Sequence, residues 1–282
     1  MKKYLALIAL LAVLVLAACG GSNSNENDSA ETTEGEEESA VLKVGASSTP
    51  HAEILEEAAP LLEEEGITLE IEPYEDYVLP NDDLANGDLD ANYFQHKPFL
   101  EETVGNTGYE IESIGGVHVE PMGVYSVNIK SVDEIPDGAE VILSNSVADH
   151  GRILKLFEAE GLITLDENAE EITLDSIVDN PKNLEFSPDY APEILPELYL
   201  NEEDALVVIN TNYAIGAELN PVDDALFIEG EESDYVNIIA VRSEDKEDES
   251  LNKLVEVLQS EEIANFILEN YDGAIVPAGG TK

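Results

Sequence analysis

The sequence predicts an α/β protein of two lobes, each a mainly parallel sheet flanked by helices, and three observations carry that expectation. Over residues 41–94, short apolar strand patterns alternate with helical ones in the order βαβαβ, which builds a parallel sheet with crossover helices. A fresh strand and helix begin after the turn Pro136-Asp137-Gly138, where a second sheet can start. Hydrophobic residues make up 43% of the 282 residues, enough for sizeable cores, and the length suits about two domains.

Val41-Leu42-Lys43-Val44-Gly45 is a short strand, and Ser47-Ser48-Thr49-Pro50 suits a helix start with proline in the first turn. Ile54, Leu55, Ala58, Leu61 and Leu62 recur at helical spacing, with Pro60 expected to kink the helix. Ile67 to Ile71 alternates as a strand, Pro80 to Ala85 is a short helix closed by Asn86-Gly87, and Leu89 to Phe94 is a third strand. A longer strand is expected over Val119 to Ile129. Then come Val141-Ile142-Leu143 as a strand, Ser144-Asn145-Ser146 as a cap, and a helix to Glu160 closed by Gly161.

The strand Ala205 to Ile209 ends at Asn210-Thr211-Asn212, and Val236 to Val241 is a further strand. Leu251 to Leu268 is expected as one amphipathic helix, with Leu251, Leu254, Val255, Leu258, Ile263 and Phe266 on its apolar side. The chain thus crosses between lobes twice, near Tyr125–Ile129 and Ser233–Asn237. Residues 41–126 and 236–282 are expected to form a discontinuous first lobe, and residues 127–235 the second.

Ahead of the folded region, Met1-Lys2-Lys3 is a charged start and Tyr4 to Leu16 an apolar run too short for a spanning helix of ~20 residues. Ala17-Ala18 and Cys19, the only cysteine, follow. The stretch resembles a bacterial lipoprotein signal, with residues 1–18 removed and Cys19 lipidated; the alternative is an ordinary secretory signal. Residues 19–40 carry no apolar side chain larger than alanine beyond Cys19 and read as an acidic flexible tether. The expected location is the cell membrane, lipid-anchored and facing outside the cytoplasm.

With 12 basic and 63 acidic residues the formal charge is −51. Loss of Lys2 and Lys3 with the signal makes it 10 − 63 = −53. A field of that sign repels nucleic acid and anionic headgroups, so membrane attachment must be covalent. A surface this acidic stays dispersed at high salt and points to a saline or alkaline habitat.

In open α/β sheets ligands sit beyond the carboxyl ends of strands. Those positions carry Ser47 and Ser48, then Tyr74 and Tyr77, then Asn92, Tyr93, Phe94, Gln95 and His96, then Ser144, Asn145 and Arg152, then Asn210. All would converge on one inter-lobe cleft. Arg152, near a helix N-terminus, can hold a carboxylate together with free backbone N–H groups; an ion pair with a neighbouring acid is the plainer use of a surface arginine. Tyr77, Phe94 and His96 can wall a thioether or serve as ordinary core aromatics. His51, His96, His118 and His150 are scattered without paired spacing, so no metal site is expected. No nucleophile elbow, phosphate loop or paired-histidine zinc motif is present, and neither an enzyme nor a cofactor is expected.

The runs Tyr77-Val78-Leu79-Pro80-Asn81 and Asp90-Ala91-Asn92-Tyr93-Phe94-Gln95-His96-Lys97-Pro98-Phe99-Leu100 closely resemble the NlpA/MetQ family of methionine-binding lipoproteins of ABC importers. The resemblance continues through His118 to Ser126, Asn180 to Leu184, Val208 to Ala214 and Tyr235 to Ile239. It implies two lobes of the type II periplasmic-binding-protein kind, closing on L-methionine for delivery to an ABC permease and its ATPase by a monomeric receptor. By position it implies Arg152 for the ligand carboxylate and Asn210 for its polar end. It further implies Tyr77, Phe94 and His96 for the side chain, with Asn92 and Asn145 as further contacts. Alternative cargoes are a methionine derivative or a short methionine-containing peptide; outside transport, the alternative is a surface interaction lipoprotein. Two departures stand out: Glu197 where members usually carry arginine, and Asp234 where they carry proline.

Overall fold

The computed structural model describes residues 39–230 and 234–278. The expected signal peptide 1–18, lipidation of Cys19, the tether up to residue 38 and Ser233 lie outside the described residues.

Strand β1 (Ala40–Ser47) leads into α1 (Glu53–Glu64), which buries Ile54, Leu55, Ala58 and Leu62. Pro60 lies on the exposed side and the helix runs through it. Next come β2 (Ile67–Tyr74), α2 (Leu79–Asn86) and β3 (Ala91–His96). Two elements then appear where none was expected: α3 (Lys97–Thr107) and β4 (Ile111–Val119). Gly115 and Gly116 interrupt the apolar pattern of β4, and only packing explains them. A Cβ on Gly115 would stand 2.4 Å from Val255 Cγ1, so a helix lies directly on the strand there.

The short β5 (Gly123–Tyr125) is followed by β6 (Glu140–Ser144), α4 (Val147–Ala159), β7 (Thr164–Leu165), β8 (Ile177–Asp179) and β9 (Glu185–Tyr190). Then come α5 (Leu195–Asn201), β10 (Leu206–Ile209), α6 (Thr211–Gly216), α7 (Pro221–Asp224) and β11 (Phe227–Ile228). The chain ends with β12 (Val236–Arg242), α8 (Glu249–Leu258), α9 (Glu261–Asn270) and β13 (Val276–Pro277). The single helix expected over 251–268 is thus two. Ser260 Oγ accepts a hydrogen bond from the Ile263 N–H and restarts the helix as an N-cap.

Among the described residues, six strands form one sheet in the order β13-β4-β12-β3-β1-β2 and five form another, β11-β5-β10-β6-β9. Both are mixed rather than mainly parallel. β1 pairs parallel with β2 and β3, as the βαβαβ pattern requires, but β12 returns from the second sheet and inserts antiparallel between β3 and β4. In the second sheet β10 is parallel to β6 and antiparallel to β5. Because β5 pairs there, the chain leaves the first sheet at Glu120–Met122, ahead of the expected boundary at 126. It returns between β11 and β12. Each sheet has its own core, one around Val44, Leu55, Tyr93, Ile239 and Leu254, the other around Val124, Leu143, Leu154, Phe157 and Leu206.

Candidate functional site

A cavity of about 390 Å³ lies between the sheets, at the carboxyl end of β3 and the amino end of α4. From the first lobe it takes Tyr77, Phe94, Gln95, His96 and Phe99; from the second, Asp149, Arg152, Asn210 and Thr211. The crossing segments supply Glu120, Met122 and Asn237.

Arg152 is buried and sits one turn after Asp149 on the same face of α4. Its Nη2 donates to the Glu120 carbonyl at 2.8 Å and to Glu229 Oε2 at 2.5 Å, its Nη1 lies 3.5 Å from Asp149 Oδ1, and its Cζ lies 4.5 Å from the Tyr235 ring centroid. The ion pair weighed from the sequence is therefore present, yet Arg152 Nε is buried with no hydrogen-bond partner among the described residues. Asn210, at the start of α6, donates from Nδ2 to Asp149 Oδ2 at 3.3 Å, and its Oδ1 is likewise unpartnered. Two residues that line the cavity thus hold a donor and an acceptor that are buried and unpartnered.

His96 caps α3 by accepting from the Phe99 N–H at Nδ1, 3.2 Å, which leaves its Nε2–H to donate to Asp149 Oδ1 at 3.1 Å across the cleft. Burial alone would raise the Asp149 carboxyl. The hydrogen bond from His96, the charge of Arg152 and the hydrogen bond from Asn210 outweigh it and hold the group far below the usual range.

Tyr77 packs on Phe94, Phe99 and Tyr213 at ring-centroid distances of 5.9, 5.9 and 5.1 Å. Its hydroxyl donates to Asn212 Oδ1 at 2.6 Å, and burial pushes the phenol well above its ordinary value. Tyr213 in turn donates to the Glu75 carbonyl at 3.0 Å, so the lobes are in direct contact around the cavity.

Of the residues expected from the sequence, Arg152, Asn210, Tyr77, Phe94 and His96 all line the cavity. Two do not. Asn92 lies four residues before the end of β3, fully buried, where Nδ2 donates to the Pro80 carbonyl at 3.1 Å and Asn81 Oδ1 at 2.9 Å; it fastens α2 to the sheet. Asn145 is exposed in the turn before α4 and lines an outer groove with Val78, Ser146 and Pro192, whereas Asp149 and Arg152 within α4 line the cavity. Glu197 and Asp234 are exposed and outside the cavity.

Sequence reasoning missed Asp149, Glu120, Met122 and Asn237. Asp149 had a signal, the i,i+3 spacing to Arg152; the other three sit on the crossing segments, whose path no local pattern reveals. Also unforeseen is a buried cluster beside the cavity. His51 Nε2 lies 3.4 Å and His118 Nε2 2.9 Å from Glu120 Oε1, while Glu120 Oε2 accepts from the Asn212 N–H at 3.1 Å. Burial pushes the His51 imidazole down to about 4. Burial pushes the Glu120 carboxyl up, but the charge of His51 and the hydrogen bond and charge of His118 prevail and lower it.

Two α/β lobes between which the chain crosses twice, with a small cavity between their sheets, define a type II periplasmic-binding-protein architecture, a class of solute receptors. The family model described as NlpA lipoprotein matches residues 42–279, and the chain belongs to that family. It is 45% identical over 280 residues to the methionine-binding lipoprotein MetQ of Bacillus subtilis, covering 98% of each chain. To the D-methionine-binding lipoprotein MetQ of Escherichia coli it is 35% identical, covering 98% of this chain and 97% of that one. A nutrient binding protein from Burkholderia cenocepacia, solved bound to methionine, superposes with a TM-score of 0.79 at 37% identity, over 84% of this chain and 99% of that one.

Proposed function

We propose that this chain is an extracytoplasmic receptor, a binding protein and not an enzyme, that captures methionine and delivers it to an ABC permease. One observation carries the proposal: a single small cavity is lined by Arg152 and Asn210, whose Nε and Oδ1 are buried without a hydrogen-bond partner among the described residues, and by the rings of Tyr77, Phe94 and Phe99. A free amino acid offers a carboxylate acceptor to Arg152 and an ammonium donor to Asn210, with the Asp149 carboxylate close by as counter-charge. The thioether then packs among the rings, where sulfur is favourably placed.

Arg152 and Asn210 come from the second lobe and the rings from the first, so cargo bridges both and stabilises the closed form through its preference for it. The permease and its ATPase then recognise that form. Lipid on Cys19 holds the monomeric receptor at the outer face of the membrane and raises its local concentration there.

The test is mass spectrometry of ligand released from purified, denatured protein, followed by calorimetry with L-methionine, D-methionine, methionine sulfoxide and a methionyl dipeptide. Methionine in the released fraction and tightest binding of one enantiomer are expected. Absence of heat with both enantiomers overturns the proposal. Cys19→Ala is expected to release the protein from membranes with methionine affinity unchanged.

A further inference from the structure

We propose that His51, His118 and Glu120 form a binding site for one divalent transition-metal ion, zinc in the first instance, buried at the point where the chain crosses between lobes. His51 and His118 are fully buried and Glu120 is 7% exposed, and one donor atom from each lies within 4.8 Å of the others. Two imidazoles and a carboxylate are a donor set suited to zinc. A tetrahedral ion with ligand bonds of ~2.0–2.2 Å holds its donor atoms roughly 3.3–3.6 Å apart. The separation of 3.4 Å from His51 Nε2 to Glu120 Oε1 lies within that range, and the 2.9 Å from His118 Nε2 is a hydrogen-bond distance that lengthens as the ion takes the proton's place. Small rotations of the side chains open the space.

The surroundings are those of a supported site. His118 Nδ1 is hydrogen-bonded to the Tyr93 hydroxyl, which orients the ring and suits a protonated Nδ1 when Nε2 is the ligand. The Asn212 N–H fixes Glu120 Oε2, leaving Oε1 directed at both histidines. Asn237 Oδ1 lies 3.0 Å from His51 Nε2 and is placed to serve as a fourth donor. Glu120 and Asn237 also line the cavity, so an ion enters through the cleft. A formal charge of −51 concentrates cations around the chain. Occupancy ties the loop after β1 to the segment that leaves β4, whatever cargo the cavity holds.

The test is calorimetric titration of chelator-treated protein with zinc chloride in a large excess of magnesium, which occupies the acidic surface. One zinc per chain is expected, and cobalt(II) is expected to give the intense visible absorption of a four-coordinate site. His118→Gln and His51→Gln are each expected to weaken zinc by at least ~100-fold, and Tyr93→Phe, which removes only the supporting hydroxyl, by ~10–100-fold. His150→Gln, whose ring bonds the Ser144 carbonyl outside the cluster, leaves affinity unchanged. No stoichiometric zinc in excess magnesium overturns the proposal, as does undiminished binding in His118→Gln. Should the histidine variants unfold, full-strength binding in Tyr93→Phe overturns it equally.

Discussion

Replacing Arg152 by alanine separates its two uses. Toward the cargo, the one unpartnered donor of the guanidinium, Nε, makes a charge-assisted hydrogen bond to the carboxylate worth ~1.5–3 kcal/mol. Its loss corresponds to methionine binding weaker by roughly 10- to 150-fold, at ~1.4 kcal/mol per tenfold. Toward the fold, the same substitution removes the donors at 2.8 Å to the Glu120 carbonyl and 2.5 Å to Glu229, and the cation 3.5 Å from buried Asp149. Breaking such a buried pair costs ~3–5 kcal/mol. His96 and Asn210 still bond Asp149, so the lower end applies, about 3 kcal/mol. In a domain of this size that lowers Tm by ~6–12 °C.

Calorimetry with L- and D-methionine reads the first effect and differential scanning calorimetry without ligand the second. A variant that binds methionine within threefold of wild type refutes the assignment of Arg152 to the carboxylate. Unchanged Tm refutes its bracing of the crossing segments. Arg152→Lys keeps the charge without the fork and is expected to fall between.

The Asp149 carboxyl is depressed in the folded state, so its stabilisation is fully present above its unfolded value near ~3.9 and is lost as pH falls through the folded value. Asp149→Asn is therefore expected to be less stable at pH 7, with the gap narrowing in urea melts below about pH 4; a gap constant from pH 7 to pH 3 contradicts the shift. Phe157 is fully buried against Phe186 and Phe227, and Phe157→Ala is expected to cost ~3–5 kcal/mol in chemical denaturation while leaving methionine affinity unchanged. With a formal charge of −51, Tm is expected to rise with sodium chloride up to ~1 M as self-repulsion is screened; a flat Tm means the acids are already neutralised by bound cations.

The parts legible in the sequence are those set by local physics. The apolar spacing of Ile54, Leu55, Ala58 and Leu62 marks α1 and the run before Asn210 marks β10, because burial of one face requires that periodicity. Of the residues singled out from the sequence, Phe94 and His96 at the end of β3, Arg152 in the second turn of α4 and Asn210 at the start of α6 line the cavity, near the strand ends where α/β geometry collects ligands. Asn92 obeyed the same residue chemistry but sits too early in β3 to reach the cleft, and Asn145 sits too early in the turn. Residue type and order do not encode depth along a strand.

What only the tertiary structure decided lies where the chain crosses between sheets. The return of the chain to the first lobe was expected, but the mixed order of its sheet depends on β12 entering antiparallel between β3 and β4, a position that no local pattern records. Gly115 reads as a break and is in fact the contact point for Val255. The meeting of His51, His118 and Glu120 belongs to the same class: one histidine follows β1, the other ends β4, and only the register of a six-stranded sheet brings them to a single carboxylate. Sequence alone determined an α/β scaffold of two lobes and singled out several residues that line the cavity between them, since periodicity and strand-end chemistry are local. The lobe boundary, the partners of Arg152 and the buried histidine pair required the fold, since long-range contacts are set by packing between elements rather than by order along the chain.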